Sequence, residues 1–349
     1  MENIWFLVVA LMLATYVVLD GFDLGVGALY KIVAPTADER SVVRRSIGPV
    51  WDANEVWLLA AGGTMYFAFP SLYAASFSGF YLPLMLVLWL LIGRALGLEL
   101  RGYLPDTLAK EICDAVFTVS SALLAVVFGA ALGNVVRGVP IDADGYFFLP
   151  LWTNFWPGED AGVLDVYTVF CGVVALLALG THGAHYLVLK TTEAVQSRAR
   201  RVAVWGTRLL PVGTLASLAA TLAVRPRVLD NFRAQPVGVL LPLLVVASLA
   251  TMFWALHRRN EKLAFVASCS YLIAMLGGAA FALYPTLLTS VPFPERSLTV
   301  SNSATGGYAM RVGLTWWILG VLLVSVTFHF LYRSFRGKIL PGADEHEHE

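Results

Sequence analysis

The feature that most constrains this chain is a series of long apolar segments separated by short polar connections. A membrane-spanning helix needs about 20 apolar residues, and a helix satisfies its own backbone hydrogen bonds inside hydrocarbon. A scan on that length predicts nine spans, at 4–30, 47–69, 73–98, 112–135, 163–189, 203–224, 237–257, 262–288 and 311–335. The chain is therefore predicted to be an all-α polytopic membrane protein.

The composition agrees with this fold class and excludes others. Hydrophobic residues make up 58% of the chain and charged residues 14%, whereas soluble domains have about 45–50% and 25%. The formal net charge is zero, and no basic stretch alternates with aromatic residues, so nucleic-acid binding is not expected. Cys113, Cys171 and Cys269 are far apart in apolar sequence, which predicts buried free thiols rather than disulfides.

The basic residues predict the orientation in the membrane. With the N-terminus outside, only six of the 24 lysines and arginines fall in outer connections, namely Arg137, Arg225, Arg227, Arg233, Arg296 and Arg311. The others, in which we include Arg94, fall in inner connections. Such a bias follows the positive-inside rule. It predicts the N-terminus outside, the C-terminus inside and an odd number of spans. The first segment has no cleavage signal and is expected to be retained.

Two pairs of acidic residues lie within predicted spans. Asp20 and Asp23 are three residues apart in the first span, and Asp52 and Glu55 repeat that spacing in the second. Residues at this spacing share one helix face. Because a carboxylate at membrane depth is costly, it usually faces protein or water and serves ion or proton movement. Carboxylates in a low dielectric can exchange protons near neutral pH, so these four residues predict a proton pathway.

Neighbouring residues are expected to support the acids. Gly21 and Gly25 would let another helix approach closely, while Asn54 could donate a hydrogen bond near Asp52 and Glu55. Trp51 and Trp57 flank this second pair. An alternative is that the acids cap helix ends at the interface, and for Asp52 the preceding Pro49 favours this, since proline suits a first helical turn.

The histidines do not form an evident cofactor site. His182 and His185 lie three apart on the fifth span, so they project from the same side of one helix and cannot occupy both axial positions of one haem. We predict polar packing, or a contact with a quinone or a partner protein. The sequence has no nucleotide-binding, metalloprotease or catalytic-triad motif, and neither catalytic nor metal-binding residues are predicted.

Other charged residues are expected to form ordinary pairs at helix ends. These are Glu99 with Arg101 and Asp114 with Lys110. The polar tail 344–349 contains alternating glutamate and histidine, but a short chain end of this kind is expected to be disordered rather than a metal site.

The acidic motifs also carry a resemblance to a known family. The stretches 19–27 (LDGFDLGVG) and 47–57 (IGPVWDANEVW) resemble subunit II of the cytochrome bd-type quinol oxidases. The similarity continues through 61–63, 69–74, 78–81 and 181–184, and through Tyr284, Pro285 and residues 297–299. It extends over nearly the whole chain, and the first hundred residues are its most specific part.

The resemblance implies a nine-helix subunit built of two four-helix bundles and one further helix. On this chain the first bundle, with the acidic motifs, would occupy 1–135 and the second 163–288, with outer loops at 136–162 and 289–310. The ninth helix and a cytoplasmic tail would occupy 311–349. The implied location is the bacterial cytoplasmic membrane.

The resemblance also implies partners and cofactors. The b-type and d-type haems would lie in a larger subunit I, which oxidises quinol and reduces dioxygen to water, and this chain would contain no haem ligand. A quinone is bound within subunit II of some members, and small single-helix subunits could join the heterodimer. Asp52 and Asp23 match acids of the proton route from the cytoplasm, and Trp57 matches a position near a proposed oxygen channel.

Two other functions compete with the oxidase subunit. A proton-coupled transporter would use the same carboxylates as coupling sites, but such transporters often have broken helices in corresponding halves of the chain, whereas here the acids are confined to the first two spans. The other alternative is a structural scaffold whose acids only pair with the partner.

Overall fold

The computed structural model describes residues 1–158 and 160–340, so Glu159 and the tail 341–349 with its predicted disorder lie outside the described residues. The described chain is largely helical. Its α-helices are α1 (Glu2–Val33), α2 (Ala37–Ile47), α3 (Trp51–Ala68), α4 (Pro70–Gly79), α5 (Tyr81–Glu99), α6 (Thr107–Arg137), α7 (Val166–Lys190), α8 (Glu193–Val224), α9 (Asp230–Ala234), α10 (Leu240–His257), α11 (Glu261–Leu283) and α12 (Gly307–Ser334).

Within the described residues, eight helices are long and apolar enough to cross a membrane: α1, α5, α6, α7, α8, α10, α11 and α12. The predicted all-α polytopic class is confirmed. The remaining predicted span, 47–69, corresponds to α3, which has a sufficient length of 18 residues. It is not among the eight because Asp52, Asn54 and Glu55 make its first turns polar, so the count of nine spans stays a prediction.

Two of the predicted spans have other boundaries in the structure than the sequence predicts. The segment predicted as one helix over 73–98 is divided at Phe80 into α4 and α5. The carbonyl of Gly79 accepts a hydrogen bond from the Leu149 amide at 3.1 Å, so it serves a loop instead of continuing the helix. The span predicted over 262–288 ends at Leu283, and Thr286–Leu288 forms the short strand β1 instead.

Helix α1 lies at the centre of the fold. It packs against α3, α6, α7 and α11, while α7 also packs against α6 and α8, and α10 pairs with α11. Helix α12 lies at the periphery, and no residue of its apolar stretch is buried. Because α1 contacts helices from both predicted bundles, the side chains facing α1 come from both halves of the chain. The division into two bundles stays a prediction.

Two loop segments form a cap over one end of the helices. Strand β1 pairs in antiparallel fashion with β2 (Leu298–Thr299), and Val139 bridges to Ser290. Arg137 ion-pairs with Asp165, the N-terminal cap of α7. These contacts tie the segment after α6 to the one after α11. The cap coincides with the two predicted outer loops.

Candidate functional site

The site is positioned by a close crossing of α1 and α7. A Cβ atom added to Gly25 would lie 2.0 Å from the Leu179 carbonyl oxygen, and one added to Gly183 would lie 2.5 Å from the Gly25 carbonyl carbon. One on Gly21 would lie 2.9 Å from the Leu179 side chain. The two helices therefore touch through their backbones at Gly25 and Gly183, and the close approach predicted for Gly21 and Gly25 is present, at Gly21 against a side chain. This contact seals one side of the acid-bearing turn of α1.

Asp20 forms a buried ion pair with Arg94. The two guanidinium nitrogens donate to the two carboxylate oxygens at 2.6 and 3.0 Å, and both side chains are fully buried. Such a bidentate contact is the strong form of an ion pair. Arg94 lies within α5, so its assignment to an inner connection is wrong: a carboxylate on a neighbouring helix neutralises the arginine inside the protein.

Asp23 is held by a side chain of α3, which is itself held by a side chain of α12. Its Oδ2 accepts a hydrogen bond from the Asn54 side-chain amide at 2.8 Å. The Asn54 oxygen in turn accepts from the Tyr332 hydroxyl, on α12, at 2.8 Å. Asp23 and Asn54 are both fully buried. Tyr332 thus links the peripheral helix to the acidic cluster.

Glu55 completes the cluster from α3. Its Oε2 lies 3.6 Å from Arg94 Nη1, and its side chain is 23% exposed. The structure thereby brings three of the four predicted acids, Asp20, Asp23 and Glu55, around one buried arginine. Nothing in the sequence spacing requires Arg94, Tyr332 and the acids to meet. A lone arginine in the apolar stretch 81–98 was the one sequence feature that indicated a buried partner for an acid.

Several buried polar atoms of this cluster have no hydrogen-bond partner in the described structure. They are Asp23 Oδ1, Glu55 Oε2 and Arg94 Nε. Buried polar groups in proteins are nearly always satisfied by protein or ordered water. Because these donors and acceptors concentrate around Asp23, Glu55 and Arg94, they are suited to hold internal water molecules.

Asp52 does not join the buried cluster. It lies in the first turn of α3 and is exposed at the surface of the chain. It is on the same helical face as the exposed side chains of Val56 and Leu59, which are 53% and 74% accessible. The predicted convergence of all four acids is therefore only partial, since the polar beginning of α3 carries Asp52 outward while Asn54 and Glu55 face α1 and α5.

The two flanking tryptophans have different surroundings. The Trp51 indole is buried, donates to Glu99 at 3.2 Å and lies 5.8 Å from the Arg94 guanidinium. Trp57 packs edge-on against Phe328 of α12, with the ring centroids 5.8 Å apart. Trp51 therefore supports the buried arginine, whereas Trp57 lies at the seam between α3 and α12.

The histidines lie on the far side of α1, inside the chain. His182 contacts the Ser268 hydroxyl at 2.7 Å and the Val18 carbonyl at 2.9 Å, and its ring stacks on Phe265. His185 contacts the Thr207 hydroxyl at 3.0 Å. Both rings are buried, so polar packing accounts for them. A quinone or partner contact at these residues stays a prediction that this geometry does not favour.

The charged residues near the predicted inner helix ends pair differently from the sequence expectation. Asp114 is buried and pairs with Arg40 at 2.8 Å and Arg101 at 2.6 Å, not with Lys110. Glu99 accepts from Trp51 rather than pairing with Arg101. Both predicted pairs are wrong because Asp114 pairs with Arg101, the predicted partner of Glu99, and also with Arg40 of α2, which is distant from it in sequence.

The described residues contain no cluster of histidine, cysteine and acidic side chains able to hold a metal ion. A haem would need an axial ligand with a free nitrogen. Both ring nitrogens of His182 have partners, and His185 is buried against Thr207. These two residues therefore do not fit a haem site.

Comparison with known proteins identifies the family. The model of the family "Cytochrome bd terminal oxidase subunit II" matches residues 1–335. This chain belongs to that family. It is thus a subunit of a terminal quinol oxidase, and the predicted family resemblance is confirmed. Membership favours the oxidase over the transporter alternative.

Similar proteins extend over almost the whole chain. A "Cytochrome bd ubiquinol oxidase subunit 2" of Bacillus subtilis is 31% identical and covers 89% of each chain. A "Cytochrome bd-I ubiquinol oxidase subunit 2" of Escherichia coli is 30% identical over 95% of this chain and 92% of its own. A chain of the bd oxidase from Geobacillus thermodenitrificans has the same fold, with a TM-score of 0.74 at 19% identity, covering 96% and 98%.

Proposed function

We propose that this subunit carries protons from the cytoplasm toward a haem-bearing subunit I and contains no haem itself. The observation that carries the proposal is the buried cluster of Asp20, Asp23, Glu55 and Arg94 with its unpaired polar atoms. Water held by such atoms can relay protons between carboxylates that lie at membrane depth. The lack of a fitting haem ligand at His182 and His185 supports the haem-free assignment.

The acids have different roles in this route. Asp20 is held by two hydrogen bonds from Arg94, so it acts as the counter-ion that keeps the arginine buried. Asp23 and Glu55 each have a buried carboxylate oxygen that accepts no hydrogen bond from the described residues, and they are the residues that exchange protons. Asp52 is the residue that faces the partner subunit, since it is exposed at the surface of the chain. Trp51 and Asn54 hold the arginine and Asp23 in place.

The surface around Asp52 supports docking of subunit I there. Asp52, Val56 and Leu59 form one exposed face of α3, and a carboxylate facing lipid would be costly. Coverage by a partner protein removes that cost and connects Asp52 to the haem-bearing subunit. The subunit would thereby also stabilise its partner. The proposed location is the cytoplasmic membrane with the N-terminus outside.

The experiment replaces Asp23 and Asp52 separately by asparagine in the complete complex. We expect quinol-driven oxygen uptake to fall at least about tenfold in each, as for loss of a proton-transfer group, while the haem spectrum is unchanged. Asp38→Asn is the matched control, because Asp38 is an exposed acid in the first turn of α2. If the Asp23→Asn complex has its full haem content and takes up oxygen normally, Asp23 has no role in proton transfer and only the structural scaffold function remains.

A further inference from the structure

A groove on the side of the chain away from α3 has no role in the proton route. It lies between α1, α7 and α8, has a volume of about 600 Å³, and is open to the surroundings. Its walls include Leu29, Leu176, Leu177 and Leu209, while Arg198 and Arg201 lie at one end. The groove is therefore apolar along its length and positively charged at one end.

The charge at this end is not fully neutralised by the protein. Arg198 pairs with Glu39 and donates to the Val33 carbonyl at 2.7 Å. Arg201 is exposed and has no carboxylate partner among the described residues. One guanidinium is thus available to an anionic group that enters the groove.

The dimensions match a lipid in one leaflet. Arg201 and Leu209 are eight residues apart on α8, which corresponds to about 12 Å along the helix axis, close to the roughly 15 Å of hydrocarbon in half a bilayer. Trp205 lies between them and is 62% exposed, the usual position of tryptophan at the membrane interface. A lipid with its phosphate at Arg201 would thus have an acyl chain beside the leucines of the groove.

The floor of the groove is open because of a glycine. A Cβ atom added to Gly180 would have no atom within 4 Å, although Gly180 is on α7, which is tightly packed elsewhere. Three residues along, a Cβ on Gly183 would meet α1 at 2.5 Å. The space above Gly180 is therefore free to receive an acyl chain.

We propose that this groove is a binding site for an anionic phospholipid, with its phosphate at Arg201 and one acyl chain over Gly180. The surplus positive charge favours an anionic headgroup over a zwitterionic one. The apolar length favours a lipid over a free phosphate ion. The site is separate from the acidic cluster, so the proposal does not depend on the proton route.

The test is native mass spectrometry of the purified two-subunit complex titrated with phosphatidylglycerol, with phosphatidylcholine and ubiquinone as comparisons. Arg201→Gln should weaken phosphatidylglycerol binding about fivefold, equivalent to about 1 kcal/mol for one basic residue. Arg201→Lys should retain most of the binding. Gly180→Leu should fill the groove and remove the same bound lipid.

Arg258→Gln is the matched control, because Arg258 is exposed beside Trp254 at the end of α10 and does not line this groove. Its lipid binding should be unchanged, and unfolding temperatures should confirm that every variant folds. Unaltered phosphatidylglycerol binding in both Arg201→Gln and Gly180→Leu would overturn the proposal. The proposal would also be overturned if Gly180→Leu removed bound ubiquinone or phosphatidylcholine and left phosphatidylglycerol bound.

Discussion

Arg94 on α5 and Asp20 on α1 meet in a fully buried two-point contact, with nitrogen–oxygen distances of 2.6 and 3.0 Å. Each side chain alone would be a buried charge at membrane depth, and each neutralises the other. Glu55 adds a second carboxylate 3.6 Å from the same guanidinium. The arginine thus joins α1, α3 and α5 and fixes the position of the acidic cluster.

Arg94→Gln should destabilise the complex strongly. It leaves Asp20 without a counter-charge, and breaking a buried pair on one side costs about 3–5 kcal/mol. The measurement is thermal unfolding of the purified complex together with its yield. The double variant Asp20→Leu, Arg94→Met should recover most of the loss, because it removes both charges. A single variant as stable as the native protein would show that the pair does not stabilise the fold.

Asn54→Leu should destabilise more than Tyr332→Phe. The leucine leaves Asp23 Oδ2 without its donor and Tyr332 without its acceptor, and each unsatisfied buried group costs about 1–3 kcal/mol. The phenylalanine removes one hydrogen bond, worth about 0.5–1.5 kcal/mol. Unfolding temperatures of the two variants give the order. The reverse order would mean that Asn54 does not hold Asp23.

Gly183→Ala should weaken the fold, whereas Gly180→Ala should not. At Gly183 the added methyl group would lie 2.5 Å from the backbone of α1, while at Gly180 it meets nothing within 4 Å. Overpacking of this kind costs about 1–3 kcal/mol. Both substitutions are on α7 and have the same helix propensity effect, so their difference in unfolding temperature isolates the α1–α7 contact. Equal changes in unfolding temperature for the two variants would contradict a close contact between α1 and α7 at Gly183.

Glu39 should contribute to stability in a pH-dependent manner. Burial disfavours its charge, but hydrogen bonds from Arg198 and Thr36 outweigh this and hold its pKa below the ordinary 4.5. Because the folded-state pKa is the lower one, the charged carboxylate contributes its full stabilisation above the ordinary pKa of 4.5. That stabilisation is lost as the pH falls through the folded-state pKa. Glu39→Gln should therefore lower the unfolding temperature near neutral pH and have less effect near pH 3. A deficit that is constant with pH would exclude this cause.

The acid-rich segments show how far the sequence could be interpreted. Asp20, Asp23 and Glu55 were predicted to be protected from lipid because isolated charges are costly at membrane depth, and all three are at least partly buried. The same argument, the spacing from Glu55 and the family resemblance group Asp52 with them. Spacing along one helix gives a shared face, but it does not tell which face a neighbouring helix covers, and here Asp52 lies outside the covered part.

The sequence by itself determined the all-α polytopic class, the rough bounds of most apolar helices and the presence of acids within them, because the length of a helix and its hydropathy are local properties. Only the tertiary structure decided that Arg94 neutralises Asp20, that Tyr332 reaches Asn54, and that Asp114 pairs with Arg40 rather than with Lys110. Those contacts join residues distant in the chain, and they follow from how whole helices pack, through backbone contacts such as Gly25 against Gly183, which no local pattern specifies.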